Sequence, residues 1–421
     1  MVATINLSSK INHQLPAELV KFMQAAGEAA QHRRQPLYLA GGVVRDLLLG
    51  RANFDLDLVV EGDAISLAGQ LTSATPAKLV THPRFGTAKL QWDRWSVDLA
   101  SARSETYARP GALPAVKPGS IKDDLSRRDF TINTMAVELQ PGRYGELLDL
   151  YGGRDDLERK FIRVLHDKSF KDDATRIWRG LRYEQRLGFQ FEANTLQLLK
   201  RDMSWLDTIS GDRIRHEIEL ILREELPEKV LRRADELGVL VWLHPSLEGN
   251  DWLADKFGEA REFSSPDLPS VDFYLSLLAY MLTAEENEQL VSYLRLPKSS
   301  ARILHDTAGI KAELGLLAKP DLTPSGIYSL LQGYSSKAIV ASSIAIDLPL
   351  VHQRIDLFLG KLRYVNPALT GDDLQKMGVA PGPRIKEILN LLRNARLDGI
   401  VSNKKDEEEL ARESLKGLRP F

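Results

Sequence analysis

The sequence predicts an α+β protein: an α/β head at the N-terminus, built on one mixed sheet, followed by an all-helical remainder. Two observations carry the prediction. From about Leu37 to Leu150 short β-like runs alternate with helical stretches, and after Asp149 long amphipathic segments with few β-branched clusters run to the end.

Taken in order, Leu37 to Ala40 is an apolar run that leads into Gly41 and Gly42. That pattern suits a buried strand followed by a turn where backbone must come close to something. A helix is expected from Val43 to Leu49, with Arg45 in its first turn, where free N–H groups and a guanidinium together suit phosphate oxygens. The second run, Phe54 to Val60, contains Asp55-Leu56-Asp57. On a strand, residues i and i+2 share a face, so both carboxylates project together while Leu56 and Leu58 turn into the core. Carboxylates so placed repel unless a cation lies between them, and oxygen-only ligands favour Mg²⁺. Further strands are expected at Lys78 to Thr81, Thr87 to Trp92 and Ser96 to Leu99. Breaks between helices are expected near Ser264 to Pro269, Lys319 to Pro324 and Asn366 to Gly371, where Pro, Ser and Gly gather.

The 421 residues, 43% hydrophobic and 27% charged, exceed one ordinary domain. With 56 basic against 58 acidic residues the net charge is −2, so no global positive field announces nucleic acid and any RNA contact needs a local patch. The absence of cysteine excludes disulfides, thiolate zinc sites and cysteine nucleophiles. The N-terminus lacks a signal pattern and no apolar run approaches the roughly 20 residues needed to span a bilayer. A cytoplasmic protein without a membrane partner is the expectation.

A lone Gly-Gly is usually a turn, and a lone Asp-x-Asp is usually a solvated strand edge. Together, GGVVRDLLLGR followed by DLD resembles the first signature of the nucleotidyltransferase family that contains tRNA CCA-adding enzymes and bacterial poly(A) polymerases. The resemblance implies a polymerase beta-like nucleotidyltransferase head, with Asp55 and Asp57 as catalytic metal ligands for Mg²⁺ and with Gly42 and Arg45 on the nucleotide. Arg127 to Asn133, RRDFTIN, resembles the second signature, which implies that Arg128 contacts the nucleotide while Asp129 and Asn133 support the ribose and local geometry. The stretch before it looks like the family's third head strand and mobile loop, so that Asp98 completes a trio of carboxylates. The loop, between Arg103 and Arg128, contains Pro110, Pro114 and Pro118.

Asp172-Asp173-Ala174-Thr175-Arg176 resembles the family's neck motif, with Asp172 where Glu is common. Beyond it Arg176, Arg179, Arg182 and Arg186 recur every three or four residues and share one helix stripe, while Ala174, Ile177 and Leu181 fall on another side. Asp173 offers only acceptors and Arg176 only donors. Cytosine and adenine each present an amino donor beside a ring acceptor and fit this pair; guanine and uracil present the reverse. The pair is therefore a candidate template for CTP and ATP. Arg179 and Arg182, as the resemblance implies, face the triphosphate or hold the neck against it. Arg213 and Glu217, at i and i+4, resemble a bracing helix. Toward the C-terminus, Pro381-Gly382-Pro383 places a helix start and Arg384 and Lys386 where RNA backbone could lie. The His-Asp pairs at 166 and 305 have no further spaced ligands and carry no role.

The resemblance divides the chain into a head (1–150), a neck (151–222), a body (223–345) and a tail (346–421). It implies transfer of CMP and AMP from CTP and ATP to the tRNA 3′ end. The alternatives are an enzyme adding only CC or only the final A, which would need a complementary nucleotidyltransferase, a poly(A) polymerase, or a degenerate RNA-binding module.

Overall fold

In the computed structural model, which describes residues 5–74, 77–106, 111 and 115–415, the head grows outward from β1 (Leu37–Ala40), whose four residues are all buried. A strand sealed on both faces needs partners on both edges, because every backbone N–H and C=O must be bonded. They are β2 (Leu56–Val60) on one side and Met135–Glu138 on the other, both antiparallel to it. With β3 (Lys78–His82), β4 (Thr87–Trp92), β5 (Trp95–Ser101), β6 (Arg103–Thr106) and β7 (Ala115–Pro118) intervening, Met135–Glu138 becomes β8 and Leu147–Asp149 becomes β9. Among the described residues the sheet is seven-stranded in the order β3-β4-β5-β2-β1-β8-β9, and β6 with β7 forms a separate hairpin. Only the β2–β5 pair is parallel in the large sheet.

Helices α1 (Ser8–Gln14) and α2 (Ala17–His32) precede β1. Helix α3 (Gly42–Leu49) starts directly after it and stops at Gly50, which takes the left-handed conformation that suits glycine. Next come α4 (Ala64–Ala74), α5 (Ile121–Ser126), α6 (Gly153–Arg159), α7 (Ser169–Asp172), α8 (Thr175–Leu187), α9 (Ala193–Asp202) and α10 (Gly211–Ile221). The stripe expected on α8 holds: Ala174, Ile177 and Leu181 are buried.

Two expectations are corrected. Strand β2 begins at Leu56, not Phe54. The Asp55 amide donates to the Asn53 side chain and Phe54 packs edge-on against Trp95, so the chain is still turning there. The remainder after Asp149 is also not wholly helical, because β10 (Phe161–Ile162) pairs in parallel with β11 (Gln190–Phe191) and stitches α8 to the strand before it. Pro110 and Pro114 of the expected loop lie outside the described residues, while Pro118 closes β7.

The chain divides into two units, Met1–Ile218 and Glu219–Phe421. The first unites the expected head and most of the neck. The second is built, among the described residues, from α11 (Pro227–Glu236), α12 (Asp251–Ser264), α13 (Val271–Leu278), α14 (Ala284–Tyr293), α15 (Lys298–Ala312), α16 (Leu314–Leu317), α17 (Pro324–Leu331), α18 (Ser336–Ala345), α19 (Pro349–Gly360), α20 (Gly371–Lys376), α21 (Pro383–Leu397) and α22 (Lys404–Leu415). All three expected breaks fall between these helices. Phe257 and Tyr274, with ring centroids 4.3 Å apart, anchor one core. Leu369, Leu374, Ile388 and Leu392 form another, beside which fully buried Glu407 accepts from the amides of Ala368 and Leu369 and from Arg396. No helix of the described residues is long and apolar enough to cross a membrane.

Candidate active site

A cleft of about 530 Å³, a size that suits a nucleotide, opens in the first unit. Its floor comes from the sheet. Asp57 on β2 lies directly beside Asp98 on β5, and Lys89 on β4 lies beside Asp98 on the other side. Neighbours in register share a face, so these side chains form a row. Lys89 Nζ pairs with Asp98 at 3.0 Å. Among the described residues Asp57 has no such partner. Desolvation pushes its carboxyl up to about 6; Arg128 opposes the shift and the charges of Asp55 and Asp98 add to it.

This corrects the expected trio. Among the described residues no group of three or more His, Cys, Asp or Glu is arranged to hold a metal. The physical reason is that Lys89 already neutralises Asp98, and that Asp55, exposed and ahead of the strand, is not among the residues lining the cleft. Asp57 crowded by like charge nevertheless fits a divalent cation. Mg²⁺ in particular is commonly bound by one or two carboxylates, with substrate phosphates completing its shell.

The wall opposite is basic. Gly42 at the start of α3, Arg128, Asp129 and Asn133 after α5, and Asp173, Arg176 and Arg179 around α8 all line the cleft. Gly41 explains the double glycine: it has φ +83°, and a Cβ there would lie 2.5 Å from Arg128 Nη1. The glycine is what lets that guanidinium pass the β1–α3 turn. Gly41→Ala is expected to displace Arg128 and to weaken nucleoside triphosphate affinity by roughly tenfold or more, measured as the dissociation constant for ATP. An unchanged constant would show that Arg128 does not depend on this passage.

The site is stiffened from behind. Fully buried Asp124 accepts from both Arg127 and Arg128. Asp129 accepts from the Phe130 amide, the Asn133 side chain and Arg179. Burial alone would raise the Asp129 carboxyl, but Arg179, Asn133, Arg176 and the Phe130 N–H together hold it below the usual carboxylate range. Arg179 also pairs with Glu217 at 2.9 Å.

Arg45 is placed differently from its expected post on the phosphates. Only 3% exposed, it is not among the cleft-lining residues; it donates to Asp46 on two atoms and to Asn133 at 2.8 Å. Its place is behind Asn133. Arg182 is likewise buried outside the lining, 5.0 Å from the ring of Tyr183.

Tyr183 does line the cleft, with Arg45 over its ring at 5.2 Å. Sequence reading missed it, although it follows Arg179 by four residues on the same face. Lys89, Arg127 and Glu105 were also missed; they are pairing partners whose relevance appears only once β4 lies beside β5 and α5 packs against β6.

Asp173 and Arg176 meet at the start of α8. Asp173 Oδ1 accepts from the Thr175 amide (3.1 Å), the Thr175 hydroxyl (2.7 Å) and Arg213 (2.7 Å). Arg176, only 4% exposed, donates to Ser169 and to the Arg127 carbonyl. In the second unit Arg384 and Lys386 are exposed on the first turn of α21, with Arg384 near Glu387.

A cleft with the Asp57 carboxylate on a sheet and fixed guanidiniums opposite suits a nucleoside triphosphate. The model of the poly A polymerase head domain matches residues 37–163, and that described as "Probable RNA and SrmB- binding site of polymerase A" matches residues 188–250. The chain belongs to the tRNA nucleotidyltransferase family. It is 33% identical to the A-adding tRNA nucleotidyltransferase of Halalkalibacterium halodurans, over 99% of this chain and 97% of that one. It is 34% identical to the A-adding tRNA nucleotidyltransferase of Geobacter sulfurreducens, over 95% of this chain but 48% of the relative, so it spans about half the length of that protein. The CC-adding tRNA nucleotidyltransferase of Deinococcus radiodurans is 32% identical, over 91% and 90%. Among solved structures, an apo form of a CCA-adding enzyme matches with a TM-score of 0.82 at 30% identity, covering 98% of this chain and all of that one. The Thermotoga maritima CCA-adding enzyme complexed with tRNA matches with 0.76 at 30% identity, covering 99% and 100%.

Proposed function

We propose that this chain transfers nucleoside monophosphates from CTP and ATP to the 3′-hydroxyl of tRNA, building or repairing its CCA end with Mg²⁺. The reading rests on one observation: Asp57 on the sheet and the arginines 128 and 179 on the opposite wall share a single cleft with Asp173 and Arg176. Membership of the family supports it, as do relatives whose names include A-adding, CC-adding and CCA-adding enzymes.

In this account Asp57, with Asp55 just ahead of the strand, would hold the cation, and a divalent cation there would acidify the attacking hydroxyl and neutralise the departing pyrophosphate. Arg128 and Arg179 take the phosphate oxygens as charge-assisted donors. The Tyr183 ring offers the base an aromatic face. Asp173 keeps Oδ2 free of hydrogen bonds to the described residues, as an acceptor for the amino group of cytosine or adenine. Arg176 is fixed by Ser169 and the Arg127 carbonyl, so its remaining N–H groups meet the ring nitrogen without reorganisation. Arg384 and Lys386 serve the RNA backbone.

Replacing Asp173 with Glu and Arg176 with Lys together is expected to lower the preference for ATP and CTP over GTP and UTP by roughly tenfold or more, since mispaired buried polar groups cost a few kcal/mol. Incorporation of each labelled nucleotide checks it; an unchanged preference contradicts the base-reading role.

A second reading, addition of the terminal A alone, has its own support. Three relatives named A-adding are 33–35% identical to this chain, whereas four named CCA-adding are 25–29% identical. Such an enzyme would use ATP only and depend on a complementary nucleotidyltransferase.

A further inference from the structure

Thr87 on β4 pairs with Ala100 on β5, and both line the catalytic cleft. One residue further along, the Ser101 amide donates to the Gly86 carbonyl at 2.9 Å, and these two residues line a second cavity of about 490 Å³. Arg103 lines both openings, so one guanidinium forms part of the wall between them. It is held there by Glu105, which accepts from Nε at 3.1 Å and Nη2 at 2.9 Å, and by the Phe85 carbonyl, which accepts from Nη1 at 3.4 Å. The second cavity has no row of carboxylates. Among the described residues its charged lining is Arg84, Arg103 and Lys117 with one acid, Asp63, whose Oδ1 already accepts from the Ser66 amide at the start of α4. Phe85 also lines it, 45% exposed, with the Arg84 guanidinium 5.5 Å from its ring centre. A phenyl ring left nearly half in water among basic side chains suits a flat aromatic partner that carries negative charge.

We propose that this second cavity holds a nucleotide of the RNA strand just behind its attacking 3′ end, with the base stacked on Phe85 and the phosphates met by Arg84 and Lys117. The inference rests on the reading of the cleft as a transferase site for an RNA 3′-hydroxyl. Unpaired RNA bases are held by stacking on aromatic side chains, while Lys and Arg on the phosphates position the strand without reading its sequence. From Asp98 to Ser101 strand β5 advances by about 10 Å. Stacked nucleotides of one strand repeat at roughly 3.4 Å, so the occupant lies within about three nucleotides of the hydroxyl. The cavity also supplies the local basic patch that a chain of net charge −2 needs for RNA. A free nucleotide has the same chemistry, but continuity with the cleft through Arg103 favours the strand that must enter it.

The test uses the full chain and tRNA ending at −CC, beside copies of that tRNA made abasic at each of its last three nucleotides in turn. Dissociation constants for tRNA and for ATP, and the thermal midpoint, are measured for wild type, Phe85→Ala, Phe85→Trp and the double variant Arg84→Ala with Lys117→Ala. Phe85→Ala is expected to weaken tRNA binding roughly tenfold, with ATP binding and the thermal midpoint unchanged, and Phe85→Trp to restore it. One abasic tRNA is expected to lose about the same factor with wild type and nothing further with Phe85→Ala. The double variant should bind tRNA more weakly and with a flatter salt dependence, the logarithmic slope falling by about 0.7 for each side chain removed. An unchanged tRNA constant in Phe85→Ala overturns the proposal, as do abasic losses equally large in Phe85→Ala and wild type. A lowered thermal midpoint with weakened binding that Phe85→Trp does not restore also overturns it, by making Phe85 a packing residue. A second equivalent of ATP, bound by wild type and lost in Phe85→Ala while tRNA binding stays unchanged, assigns the cavity to a free nucleotide instead. These constants need no turnover, so a wild type that binds tRNA without extending it retires the transferase reading alone, and the Phe85 variants still decide the RNA contact.

Discussion

Asp57→Asn is expected to reduce nucleotide incorporation on the order of a thousandfold while making the metal-free protein more stable at neutral pH. The first effect follows from removing a charged oxygen ligand at the acid of the cleft row that lacks a cationic partner among the described residues. The second follows from the raised carboxyl. Its pKa moves from 3.8 to about 6, so the native state favours the protonated form more than the unfolded state does. A raised pKa contributes stability below about pH 4 that is lost as pH rises through 6. Above that, the native protein carries a charge its surroundings disfavour, which asparagine removes. The side chain is open to the cleft, so the gain is screened to about 1 kcal/mol, or ~2–4 °C for a unit of this size. It should vanish near pH 4. Thermal denaturation without metal at pH 4 and pH 8, beside an incorporation assay, checks both halves. Lost activity with lowered stability would point to misfolding instead of a missing ligand.

Arg179→Met is expected to destabilise the first unit by about 3 kcal/mol and to weaken triphosphate binding. Arg179 joins Asp129, 8% exposed, to Glu217, 4% exposed. Glu217 Oε2 already lacks a hydrogen-bond partner, so the substitution strips this carboxylate of its remaining one among the described residues. Adding Glu217→Gln should recover part of the loss, because it removes the stranded charge. Denaturant unfolding of the single and double variants measures this. A loss under about 1 kcal/mol, or no recovery in the double variant, would mean that the pairing is not what holds α8 and α10 at the cleft.

Local signals carried much of the architecture. The β1 run, its double glycine and the α3 run are contiguous patterns set by burial and turn chemistry, and each reappears within a residue or two. Strand β8 escaped because Met135–Glu138 is four buried residues with no alternation, defined only by pairing with β1. The β10–β11 pair escaped for the same reason: two residues from each of two distant segments carry no periodicity. In the site, the motifs that carry the family resemblance pointed to Asp57, Arg128, Asp129, Asn133, Asp173, Arg176 and Arg179, all of which line one cleft. Spacing could not say that Lys89 would reach Asp98 or that Asp46 and Asn133 would draw Arg45 inward. Those outcomes depend on which strands and helices become neighbours.

The most direct test is incorporation of each labelled nucleotide, with Mg²⁺, onto tRNA ending at the discriminator base, at −C and at −CC. The account predicts AMP addition to the −CC end, and extension of all three ends to −CCA if CTP is also used; AMP addition confined to −CC would select the A-adding reading. No incorporation onto any of the three ends by folded, ATP-binding protein would contradict it.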